Sequence, residues 1–206
     1  MPGNKNVYNE AMRKGHNLIW NGHVAEAVRE YQRALAEFPD DVAANSSLGA
    51  AYLHLRQFAP ALAAYETVRK KAPQDIVSLA KVAEIQGLLG RREEAGQSFL
   101  ALALAYSKME LPAKSLAAHQ QLATLLPDYL PGRLRLANAY QEAGKPAQAG
   151  QEYLAVARLC QKQGQMPEAI AALEQALLHN DKNQEAANLL QTWRGGKTAA
   201  GQVSEP

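Results

Sequence analysis

The sequence predicts an all-α protein of about eleven antiparallel helices, and three observations predict it. Residues recur at a spacing of 34 in the N-terminal part: Gly15 with Gly49, Ala27 with Ala61, Tyr31 with Tyr65, Pro39 with Pro73. From residue 76 a spacing of 54 takes over. It relates Gly90 to Gly144, Ala95-Gly96-Gln97 to Ala149-Gly150-Gln151, Phe99 to Tyr153, Lys108 to Lys162, and Gln121 to Gln175. Within each copy the apolar residues follow the 3.6-residue period of a helix, and no stretch alternates β-branched residues as a strand would. Fixed periods of this length mark stacked helical units that bury their apolar faces against one another.

The first two copies span 8–41 and 42–75, with two helices in each. In the second, Leu48, Tyr52 and Leu55 form one apolar stripe, and Ala61, Leu62, Tyr65 and Val68 the other. Arg56-Gln57 marks the turn between them, as Asn21-Gly22 does in the first copy. Gly49 and Ala61 are small enough to face each other across a close helix pair, with Tyr52 and Tyr65 filling the space around them. Pro73 ends the second helix and Asp75 caps the next.

The remaining core is read as two copies of a three-helix unit, 76–129 and 130–183. Within each unit the same motif fits twice, 20 residues apart: from Gly90 and from Glu110, then from Gly144 and from Gly164. The two registers overlap on 93–109 and on 147–163. Each overlap is expected to form one unbroken helix that serves two neighbours, with apolar residues on two sides as in Phe99 to Tyr106. A capping helix follows at 184–193, with Ala186, Leu189, Leu190 and Trp193 on one stripe. Residues 194–206 read as a disordered tail.

The second copy reads Leu48-Gly49-x-x-Tyr52, then Ala61, Tyr65 and Pro73. It resembles the tetratricopeptide repeat at each characteristic position except the first, where Asn45 stands for the usual Trp. The first copy matches at Gly15, Ala27, Tyr31, Ala34 and Pro39. The resemblance implies a right-handed α–α superhelix that holds other proteins and does no chemistry. It also implies that the first helix of each repeat lines a concave groove where a peptide or helix docks. Carried onto this chain, the groove positions are Asn9, Met12, His16, Ile19 and Trp20; Ala43, Ser46, Ala50, Leu53 and His54; and Val77, Ala80, Glu84 and Leu88. Trp20, His54 and Leu88 stand 34 apart. One subgroup grips acidic C-termini of heat-shock chaperones with Lys and Asn residues. Here Met12, His16, Ser47 and Val77 occupy four of those places and only Lys81 fits, so that activity is not expected.

Composition narrows the rest. Basic residues number 22 and acidic ones 20, a net charge of +2 with no concentrated basic patch, so no nucleic-acid partner is expected. Arg69, Lys70 and Lys71 fall at a helix end, where cations suit the helix dipole. The one cysteine, Cys160, excludes an internal disulfide and is read as a small buried filler in a reducing, cytoplasmic protein. No apolar segment follows Met1-Pro2-Gly3, so no secretory leader is expected. The most apolar stretch, Phe99 to Tyr106, is far shorter than the ~20 residues of a membrane span, so no membrane partner is expected. The five histidines lack metal-ligand spacing, and Gly195-Gly196-Lys197-Thr198 lacks the strand and upstream glycine of a phosphate loop. No metal, cofactor or catalytic residue is expected. The expected role is a scaffold for a protein partner. Self-assembly with further copies of the chain is the alternative, and control of an enzyme carried by another chain is a third.

Overall fold

The computed structural model describes residues 3–200, with side chains as far as residue 195. Eleven helices and no strand occur among the described residues. They are α1 (Lys5–Trp20), α2 (Val24–Glu37), α3 (Val42–His54), α4 (Phe58–Lys71), α5 (Ile76–Leu88), α6 (Arg92–Lys108), α7 (Pro112–Leu125), α8 (Leu130–Glu142), α9 (Pro146–Lys162), α10 (Met166–His179) and α11 (Gln184–Ala200). None is long and apolar enough to cross a membrane.

Two kinds of turn join these helices. In the first, the chain enters the left-handed region at Gly22, Arg56, Gly90, Glu110, Gly144 and Gly164, with φ between 56° and 81°. The next residue's N–H then donates to the carbonyl five residues back, at 2.8–3.0 Å: His23 to Leu18, Gln57 to Tyr52, Arg91 to Gln86, Leu111 to Tyr106, Lys145 to Tyr140, and Gln165 to Cys160. These are Schellman turns, which use up carbonyls that the helix end would leave bare. The second kind follows α2, α4, α7 and α10, where a short i to i+3 turn leads into the next helix. There Asp41 accepts from the Ala44 N–H at 2.7 Å, Asp75 from Ser78 at 2.9 Å and Asn183 from Ala186 at 3.1 Å.

The helix bounds carry both spacings. The bounds of α2 and α3 recur 34 residues on as those of α4 and α5. Those of α5, α6 and α7 recur 54 residues on as those of α8, α9 and α10. At 17 residues, α6 and α9 are longer than the helices beside them, and each is unbroken and lies between two Schellman turns. A helix so placed follows one hairpin turn and begins the next.

The chain forms two compact units, Met1–Ser98 and Phe99–Pro206. In the first, Ala11, Met12, Ala27, Tyr31, Ala44 and Leu48 share one core cluster, and Ala61, Leu62, Tyr65, Val82 and Ile85 another. In the second, Leu116, Ala123, Leu136 and Ala139 pack together, and Tyr153, Leu154, Ala157, Cys160 and Leu173 form part of a larger cluster. Small residues let the helices close up. A Cβ on Gly15 would lie 2.5 Å from the Tyr31 ring, and one on Gly49 2.7 Å from the Tyr65 ring. The Tyr65 ring is thus what lies directly against Gly49. Buried Asn45 donates from its amide to the carbonyls of Pro39 and Asp41, both at 2.9 Å. In the place of the repeat's usual Trp, a polar side chain thus ties the preceding turn to α3.

The C-terminal helix is also longer than expected. It does not stop at 193 but continues through Ala200, so 194–200 is helix rather than disordered tail. Arg194 pairs with Glu174 on α10, which ties the helix down just past its expected end. The rest of the expected tail, 201–206, lies outside the described residues.

Candidate interaction surface

The positions singled out on α1, α3 and α5 all lie in the first compact unit. Trp20, His54 and Leu88 are the last residues of their helices, and all three are exposed. Trp20 is 91% exposed, while α1 buries Ala11, Met12 and Gly15. Asn9, His16, Ala43, Ala50, Val77 and Glu84 are exposed, and Ser46, Ala80 and Lys81 half-buried. Ile19 and Leu53 are half-buried against the core clusters. Met12 does not belong to this surface. It is only 8% exposed and packs with Ala44 and Leu48, because its arc of α1 is the one turned towards α3.

The polar groups are already partly engaged. His16 Nε2 lies 3.4 Å from the Ser47 hydroxyl, and its ring tilts against Tyr31. Lys81 donates to Glu84 at 2.8 Å one turn along α5, which occupies the only cation that fitted the chaperone-tail pattern. Beside this pair is an open depression of about 470 Å³, lined by Leu53, His54, Arg56, Phe58, Lys81, Glu84 and Leu88. It joins the ends of α3 and α5 to the start of α4. Arg56 and Phe58 were not among the expected site residues. The signal for Arg56 was in the sequence, since it stands where the 34-residue spacing puts Gly22 and Gly90.

In the second unit a depression of about 390 Å³ is lined by Gln120, Arg133, Tyr140 and Glu152, among others. Its polar groups satisfy one another: Arg133 pairs with Glu152 at 2.8 Å, and Gln120 donates to the Tyr140 hydroxyl at 2.9 Å. Cys160 is 2% exposed, and burial first, then Glu168, pushes its thiol pKa up. That disfavours the thiolate a nucleophile needs.

The model of the tetratricopeptide repeat family matches residues 12–76, which cover α2, α3 and α4 with most of α1. Residues 12–76 therefore carry tetratricopeptide repeats. Over 84 residues the chain is 36% identical to the Superkiller complex protein 3 of Homo sapiens, covering 41% of this chain and 5% of that protein. Over 136 residues it is 29% identical to the Mus musculus protein of the same name, covering 66% of this chain and 7% of that one. The chain therefore spans less than a tenth of the length of these curated relatives. Among solved structures it is similar to a tetratricopeptide repeat protein from Parabacteroides merdae (18% identity, TM-score 0.46, 94% of this chain and 86% of that one). It is also similar to the TPR2B domain of yeast Sti1, from a complex with pHsp70 (18% identity, TM-score 0.49, 58% and 95%). MamA from Desulfovibrio magneticus is another neighbour (16% identity, TM-score 0.43, 76% and 97%).

Proposed function

We propose that this tetratricopeptide-repeat protein is a non-catalytic scaffold whose first unit binds a peptide or helix of a partner protein along α1, α3 and α5. The observation that carries this reading is Trp20. A large aromatic at 91% exposure loses its hydrophobic gain in the free chain and recovers it only when another molecule covers it. His16, Ser46, Ala50, His54 and Glu84, on the same face, offer hydrogen bonds and low relief beside that anchor, and Asn9 extends them towards the start of α1. A cytoplasmic setting belongs to the same proposal, since the single thiol needs no oxidising compartment. Residues 76–129 and 130–183 are then two copies of a three-helix unit that extends the scaffold.

The test uses peptides selected from a random display library on the immobilised chain. With Trp193→Phe, Trp20 is the sole tryptophan and reports its own burial by a blue-shifted emission. Trp20→Ala should keep the helical spectrum and weaken the selected peptides by at least tenfold, about 1.4 kcal/mol or more. Unchanged affinity and unchanged Trp20 emission would remove this face as the binding surface.

A second reading, assembly with other copies of the chain, draws on Met109 and Leu178, which are 54% and 73% exposed in the second unit. Light scattering across a concentration series separates the two: a scaffold stays at one mass, and an assembly element grows.

A further inference from the structure

We infer that the depression at the ends of α3 and α5 receives an acidic segment of the partner. An apolar side chain of that segment would lie on Leu53, Phe58 and Leu88, and an Asp or Glu carboxylate would pair with Arg56. The inference rests on the scaffold reading and adds the chemistry of the ligand.

Two observations carry it. The first is charge. Arg56, His54, Lys81 and Glu84 are the titratable groups in the lining, and the one carboxylate is already held by Lys81 at 2.8 Å. Among the described residues the Arg56 guanidinium has no ion-pair partner, so the depression presents one uncompensated cation beside apolar surface. A guanidinium is suited to carboxylate recognition because its planar fork can donate two parallel hydrogen bonds. The second is backbone conformation. Arg56 has φ +56°, at a turn position filled by glycine in four of its six occurrences among the described residues. A side chain there carries a conformational cost that glycine avoids, and residues kept in such conformations cluster at functional sites. Two depressions in the second unit lack this combination. In the second unit, Arg133 is paired with Glu152, and the depression between Ser107 and Glu142 is lined by two carboxylates and no cation.

The test is an array of amidated twelve-residue peptides with a fixed Leu or Phe, followed at one to four residues by Asp, Gln or Lys. Binding to the full chain is read by fluorescence anisotropy. Acidic members should bind about threefold to fivefold more tightly than their Gln counterparts, the range of an exposed ion pair, and the difference should shrink in 0.5 M NaCl. Arg56→Gly should abolish the difference while raising the melting temperature, which separates lost recognition from lost folding. Arg56→Lys should keep part of the difference. Glu84→Gln frees Lys81 and should strengthen the acidic peptides. Equal binding of Asp and Gln members, or an Arg56→Gly chain that still prefers Asp, overturns the inference. If such peptides still depend on Trp20, the scaffold reading stands without it. Association between copies that is lost in Glu110→Lys would instead seat Met109-Glu110 of a second copy in the depression, which also overturns the free-segment inference.

Discussion

Among the described residues, six positions take a left-handed backbone, and at four of them the residue is glycine. A Cβ at Gly22, Gly90, Gly144 or Gly164 would meet nothing within 4 Å, so steric room is not what glycine supplies there. It supplies φ. An L residue in that conformation costs roughly 1–2 kcal/mol, partly offset because glycine loses more chain entropy on folding. Arg56→Gly and Glu110→Gly should each therefore stabilise the chain by about 0.5–1 kcal/mol, and Gly22→Ala should destabilise it by about 1 kcal/mol. Urea unfolding followed by circular dichroism measures both signs. These turns were legible in the sequence because glycine at a fixed spacing is a backbone statement. Gly49 and Met12 were harder to place. A spacing shows that Gly49 lies at a close approach, but the contact of the Tyr65 ring with it depends on how far a side chain reaches. Met12 was assigned to the groove by its place in a repeat, yet its arc of α1 belongs to the core.

At the scale of the element, turn type explains what a strict two-helix repeat does not. Schellman turns follow α1, α3, α5, α6, α8 and α9, and the short i to i+3 turns follow α2, α4, α7 and α10. The 34-residue spacing is one turn of each kind, and the 54-residue spacing adds one more helix and one more Schellman turn. The long helices α6 and α9 follow from that grammar. The length of α11 was not legible, because Gly195-Gly196 reads as a helix stop by propensity alone and the Arg194–Glu174 pair is a tertiary contact. Nor was the environment of His119 on α7. It is 8% exposed, its Nδ1 has no hydrogen-bond partner, and burial first, then Arg135, lowers its pKa from 6.5. The folded chain thus binds fewer protons here than the unfolded one. Stability should fall as the pH drops through 6.5, and the penalty is complete once the pH is below the lowered folded value. The melting temperature should be lower at pH 5 than at pH 7.5, and His119→Leu should flatten that difference. A pH dependence identical in the parent and the variant would place the titrating group elsewhere.

For the whole molecule, the organising fact is that core clusters form between neighbouring helices within each unit. Stability in such a chain is close to a sum over neighbours, so damage should stay near where it is made. Gly150 offers a clean way to make it. A Cβ there would lie 2.8 Å from the Asn180 Cβ and 2.9 Å from the Ala176 carbonyl oxygen, and a backbone carbonyl in a helix end has little room to yield. Gly150→Ala should therefore push α9 off α10 at a cost of about 1–3 kcal/mol. In hydrogen exchange read by mass spectrometry, peptides from α8 to α11 should lose protection, while peptides from α1 to α4 keep theirs. Gly15→Ala, whose Cβ would lie 2.5 Å from the Tyr31 ring, should give the reverse pattern. An equal loss of protection in both units from either variant would mean that the chain opens as one cooperative block. The alternative outcome, two independent patterns, has a functional consequence: a partner bound along α1, α3 and α5 would protect the first unit by mass action and leave the exchange of α8 to α11 unchanged. The same experiment with a selected peptide would then locate its site without any substitution in the surface it covers.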